Sequence, residues 1–204
     1  MSSVGETLRR PWLREIAVVA ALYAAYSMGR VFANDDKSIA LKNAADLLHF
    51  ERLVGLDTER SWNTLLVTHD WLSAFSAYWY ASMHYVVTPV MLFLLWRKSR
   101  PLYSRMRWAL VGSTVLALTC YLLFPTAPPR MMSGYVDVMA QTAHVGWWGS
   151  SASAPQGLGG LTNELAAMPS MHVGWAVWCS LALLVLGNSF WHRAASAFYA
   201  VVTT

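Results

Sequence analysis

Apolar residues come in four long runs, at residues 16–29, 71–96, 108–124 and 171–187, and a fifth begins near Ala194 and is still running at Thr204. A spanning helix takes about 20 mostly apolar residues, so 71–96 suffices by itself and the other runs draw on flanking positions. Trp12, Trp71, Trp96 and Trp108 fall where such helices would meet the headgroups, the usual place of interfacial aromatics. The pattern predicts an all-α fold, a polytopic membrane helical bundle with four complete spans and the start of a fifth, forming one domain over residues 1–204. Between the first two runs, residues 34–70 mix charged and apolar positions, with Leu41, Ala44, Ala45 and Leu48 at helical spacing. This stretch predicts an interfacial amphipathic helix that anchors or connects rather than touching substrate, with His49, Glu51 and Arg52 on the surface.

Composition agrees with the pattern. Residues are 56% hydrophobic and 13% charged, against about 25% charged in soluble domains. The basic residues divide by side. Arg9, Arg10 and Arg14 precede the first run, Arg97, Lys98, Arg100, Arg105 and Arg107 follow the second, and Arg193 follows the fourth. On that side only Glu6 and Glu15 are acidic, whereas the other side carries six basic and nine acidic residues. Short cytoplasmic loops are enriched in Lys and Arg, so the basic side is expected to be cytoplasmic. The net charge of +4 then reflects topology and calls for no nucleic-acid partner; the lipid bilayer is the partner implied, and protein partners stay unassigned. The first run lacks a small-residue cleavage site and reads as a retained helix. Cys120 and Cys179 fall inside predicted spans, with neither disulfide nor zinc spacing.

Candidate chemistry gathers on the outer side. The second run carries His84 among Tyr78, Tyr80 and Tyr85, and Pro89 predicts a kink. An intramembrane histidine is a functional candidate, though hydrogen bonding to a neighbouring helix would equally account for it; His84 and Tyr78 are carried as candidate substrate-binding residues. The third run ends in "CYLLFPTAPPR", whose prolines stop the helix and deliver Arg130 at its outer end. Residues 131–167 form a long glycine-containing loop with the pair Trp147 and Trp148, a lid or a connector. The fourth run opens as "MPSMHVGWAVW". Pro169 and Ser170 make a helix start that puts His172 in the first turn, where unpaired N–H groups and the positive dipole end favour a phosphate. Arg130 has the planar fork suited to phosphate oxygens, and an imidazole there can protonate a departing alkoxide.

"FPTAPPR" followed roughly forty residues later by "MPSMHVGWA" resembles the type-2 phosphatidic acid phosphatase superfamily, and more narrowly its inositol phosphorylceramide synthase-like branch. The resemblance extends from the helix before "HFERLVGL" to the end of the chain. It implies a six-helix membrane enzyme that cleaves or transfers phosphate esters of lipids without metal or cofactor, with a membrane lipid as substrate. Arg130 and Ser170 would bind phosphate and His172 would be the catalytic acid. The narrower branch implies inositol-phosphate transfer, with plain lipid phosphatase as the alternative. The superfamily also uses an attacking histidine with an aspartate a few residues on, at the outer end of the fifth span. That span is unfinished at Thr204 and none of the six histidines has the required spacing, so the chain is expected to be C-terminally incomplete and inactive alone. The competing expectation is a non-catalytic membrane protein that binds anionic lipid headgroups.

Overall fold

In a computed structural model of the 204-residue chain, residues 13, 15–21, 24, 36–149 and 164–203 are described. Among them the regular structure is helical, apart from a parallel bridge between Thr126 and Ala166. In order come α1 (Lys37–Leu53), α2 (Glu59–Val67), α3 (Asp70–Lys98), α4 (Arg100–Leu123), a 3-10 turn at Pro129–Met131, α5 (Val138–Gln141), α6 (Met171–Leu186) and α7 (Phe190–Thr203). Of the first apolar run, residues 16–21 and 24 are described and helical; its remainder lies outside the described residues, as do Trp12 and Gly157, Gly159 and Gly160 of the long loop from 131 to 167.

Length separates the helices. At 1.5 Å per residue, the 29 residues of α3 and the 24 of α4 extend about 43 and 36 Å, more than the hydrocarbon thickness of about 30 Å. The 16 residues of α6 extend only about 24 Å. Among the described residues two helices, rather than the four complete spans expected, are therefore long and apolar enough to cross a bilayer. The shortness of α6 is local in origin, because Ser170 caps its start and the chain turns extended at Gly187.

Helix α3 buries Ser73, Ala77, Ala81, Thr88, Met91 and Leu95 and exposes Phe75, Val86, Val90 and Phe93. Much of its inward face is small and its outward face large and apolar, the reverse of a helix facing water. Small side chains let backbones approach closely, which favours helix association where the surroundings are themselves apolar. Helix α6 sits against α3, α4 and α7 through Ala176, Trp178, Cys179 and Ala182. The buried polar groups between α6 and α7 answer one another: Ser180 Oγ donates to the Ser196 carbonyl at 2.9 Å and Ser196 Oγ to the Ser180 carbonyl at 3.0 Å.

Residues 97–107, the basic stretch between the second and third apolar runs, are helical on both sides of Ser99. Ser99 caps α4 by accepting from the Leu102 N–H, and Pro101 occupies the first turn, where its missing N–H costs nothing. Arg107 is consequently buried; it pairs with Glu15 and lies 5.4 Å from the Tyr103 ring centroid. Lys98 Nζ donates to the carbonyls of Val185 and Leu186 at 2.9 and 2.6 Å, satisfying the C-terminal end of α6. Lys98 thus lies at the end of α6 opposite His172. Helix α3 continues through Pro89.

The expected single amphipathic helix is two, α1 and α2, broken at residues 54–58. Asp36 caps α1 by accepting from Ser38 and Ile39 N–H, and the Ser38 hydroxyl, which donates to it at 2.8 Å, together with those N–H groups holds its carboxyl below the usual range. The face of α1 that is buried centres on Ala40 and Ala44, with Leu41 beside them, and it packs on Ala127 and Leu165. Ala127 N–H donates to the Ala40 carbonyl at 3.1 Å, and Asn43 Nδ2 to the Pro125 carbonyl at 2.8 Å. Helix α1 therefore braces the proline-rich segment after α4, a role beyond the anchoring expected of it.

Candidate functional site

The two sequence motifs are laced together where α4 ends and α6 begins. Helix α4 ends at Leu123, and Thr126 N–H donates to the Leu165 carbonyl at 3.0 Å while Ala167 N–H donates to the Thr126 carbonyl at 3.1 Å. The phenol of buried Tyr121 donates to the Pro169 carbonyl at 2.7 Å. The segment leading to Arg130 and the one leading to Ser170 consequently share one small patch of backbone pairing. Arg130 itself is not on the helix end, as expected, but in the 3-10 turn that follows.

Ser170 is the N-cap of α6, with its Oγ accepting from the Val173 N–H at 3.4 Å. A hydroxyl that accepts in this way still has its proton to donate. His172 lies in the first turn, and its ring is walled by side chains from α3. Tyr80 stacks on it at 3.9 Å between centroids with 20° between planes, and His84 meets it edge to face at 4.6 Å and 82°. Tyr80 and His84 are one turn apart on the same face of α3, which explains why both reach one ring. Trp175, 6.1 Å from His84, is held by its own Nε1 donating to Thr114 Oγ1 at 3.1 Å.

Tyr78 goes elsewhere. Two residues before Tyr80, it faces the loop after Arg130, donates to the Val145 carbonyl and meets the ring of Trp148 at 4.9 Å. Trp148 has no exposed surface; its Nε1 donates to the Met139 carbonyl at 3.0 Å, and its ring lies on Ala77 and Ala81. Gly146 passes so close to that ring that a Cβ there would collide with it. Trp147 Nε1 donates to Ser82 Oγ at 3.2 Å. The described first part of the loop from 131 to 167 is therefore a wall seated on α3; residues 150–163 lie outside the described residues.

Arg130 Nε lies 3.5 Å from Asp137 Oδ2, with both side chains about three-quarters covered. The sequence held no signal for Asp137, because nothing in its spacing couples it to Arg130. Tyr80 was legible in principle, four residues before His84. The remaining histidines are spread out: His49 is exposed on α1, His69 precedes α3, His144 bonds the Gln141 carbonyl and His192 bonds Ser189.

A phosphate-sized anion at this place would meet a helix N-terminus, a serine hydroxyl and an imidazole, with a guanidinium on the segment paired to it. Neither the curated proteins nor the solved structures compared with the chain yielded a match. The profile of the PAP2 superfamily does match, over residues 45–204, a stretch that runs from within α1 to the end of the chain and holds Arg130, Ser170 and His172. The chain belongs to the PAP2 superfamily.

Proposed function

We propose that the protein is an integral, multi-pass membrane enzyme, a lipid phosphatase or phosphotransferase whose site opens on the extracytoplasmic face of the cell membrane. Membership supports a phosphatase-type activity in general, since the superfamily comprises phosphatases and phosphotransferases. The observation that carries the finer reading is the position of His172, in the first turn of a serine-capped helix and tied through Thr126 and Tyr121 to the segment bearing Arg130. In this reading Arg130 and Ser170 hold the phosphate of a lipid ester, and His172 gives its proton to the departing alkoxide. The attacking group is a phosphohistidine-forming residue, as the resemblance implies. His84 is badly placed to attack, because an in-line displacement needs phosphorus between nucleophile and leaving group, whereas the His84 ring touches His172 directly. His84 and Tyr80 serve instead as walls that hold the acid. Inositol-phosphate transfer, rather than plain hydrolysis of a lipid phosphate, is the narrower form of the proposal.

The test is turnover of radiolabelled lipid phosphate by the full-length gene product in vesicles, with and without inositol. His172→Ala and Arg130→Ala are each expected to lower turnover about a hundredfold or more, the range for removing a general acid or a charge-stabilising group. Wild-type turnover in either variant overturns the assignment. Binding to anionic vesicles without any turnover by the wild type would establish the headgroup-binding alternative.

A further inference from the structure

We propose that Asp137, fixed in place by Asn63 of α2, is a positioning residue that aims the Arg130 guanidinium at phosphate. The inference rests on the phosphate-binding role proposed for Arg130 and adds the device that orients it. Asp137 uses its two oxygens differently. Oδ1 accepts from the Ala140 N–H at 3.0 Å as the cap of α5, and Oδ2 faces Arg130 Nε at 3.5 Å. With Oδ1 held by the cap, the carboxylate is restrained from swinging away from the arginine. The residue before it is clamped too: Val136 N–H donates to Asn63 Oδ1 at 3.0 Å, and Asn63 Nδ2 donates to the Val136 carbonyl at 2.8 Å.

One turn earlier on α2, the Arg60 guanidinium lies against Gly134, where a Cβ would come within 3.2 Å of Nη2. Gly134 has φ of +89°, a conformation that glycine adopts without strain. Helix α2 therefore holds Val136 by two hydrogen bonds, with the Arg60 guanidinium beside Gly134, and presents Asp137 to Arg130. The carboxylate approaches Nε, leaving the end-on edge of the guanidinium, with both Nη atoms, for a bidentate contact.

The sign of the effect separates positioning from charge balance. A carboxylate beside a phosphate-binding arginine repels phosphate, so if it merely neutralised Arg130 its removal would strengthen phosphate binding. Asp137→Asn keeps an oxygen to cap α5 and removes the charge. The full-length protein would be assayed in detergent with dioctanoyl phosphatidic acid, and inorganic phosphate would serve as the competitive probe. Asp137→Asn is expected to lower kcat/KM about tenfold and raise the phosphate inhibition constant severalfold; Asn63→Leu should shift both in the same direction by less. In an Arg130→Lys background, which lacks the fork, Asp137→Asn should have no further effect. Unchanged or tighter phosphate inhibition in Asp137→Asn, or losses that multiply with Arg130→Lys, would overturn the positioning role. Wild-type kinetics in Arg130→Ala would instead overturn the phosphate-binding role on which it rests.

Discussion

Replacing Tyr121 by phenylalanine removes one oxygen from a buried ring and leaves the ring's packing in place. The lost contact is the 2.7 Å hydrogen bond from the phenol to the Pro169 carbonyl, which ties the end of α4 to the residue before the Ser170 cap. A neutral hydrogen bond contributes about 0.5–1.5 kcal/mol net, and orphaning a buried carbonyl costs about 1–3 kcal/mol. The site is only partly buried, so water can recover some of the loss, and about 1 kcal/mol is expected. For a chain of this size that is about 2–4 °C in Tm. If that whole amount were needed to restore the geometry of the α6 start, the rate would fall about fivefold, because about 1.4 kcal/mol corresponds to a factor of ten. The assay pairs thermal melting in detergent with kcat/KM on lipid phosphate, using Ser196→Ala as control. Ser196 also loses an interhelical hydrogen bond, to the Ser180 carbonyl at 3.0 Å, but eight residues along α6 from His172. The control should lower Tm and leave kcat/KM unchanged. An unchanged Tm in Tyr121→Phe would refute the hydrogen bond, and a lowered Tm with unchanged kcat/KM would refute its part in holding the site.

Two further outcomes follow from the same packing. Trp148→Ala removes the ring that fills the space between Met139 and the Ala77–Ala81 face, and should cost about 3–5 kcal/mol together with faster proteolysis of residues 131–149; a loss under about 1 kcal/mol would contradict the seated wall. Glu59 is held above the usual carboxyl range by partial burial and by the nearby Glu51 and Asp57. A raised carboxyl pKa disfavours the folded state once the group is ionised, and the penalty disappears as pH falls through the folded value to below the unfolded one. Glu59→Gln should therefore raise Tm at pH 7 and lose that advantage below about pH 4; an advantage that persists or grows in acid would reverse the sign and refute the reasoning.

Much of this protein was legible in its amino-acid order. Runs of apolar residues locate α3, α4 and α6, because a helix in an apolar environment must be apolar on nearly every face. Pro169 and Ser170 announce the start of α6 and the first turn that holds His172, since capping is decided by residues within one turn of the helix end. The prolines after Phe124 end α4 for an equally local reason. What depended on neighbours was not legible. Ser99 and Pro101 start α4 as locally as Pro169 and Ser170 start α6, but the burial of Arg107 against Glu15 spans 92 positions and no local pattern announces it. Tyr78 and Tyr80 look alike in order, yet a separation of about 200° around α3 sends one to Trp148 and the other to His172. Asp137 and Asn63 join the site only through contacts that span 7 and 73 positions. Helix period and capping are short-range physics that the sequence by itself determines; which side chain faces which partner is decided by how the helices pack, and only the tertiary structure contains that.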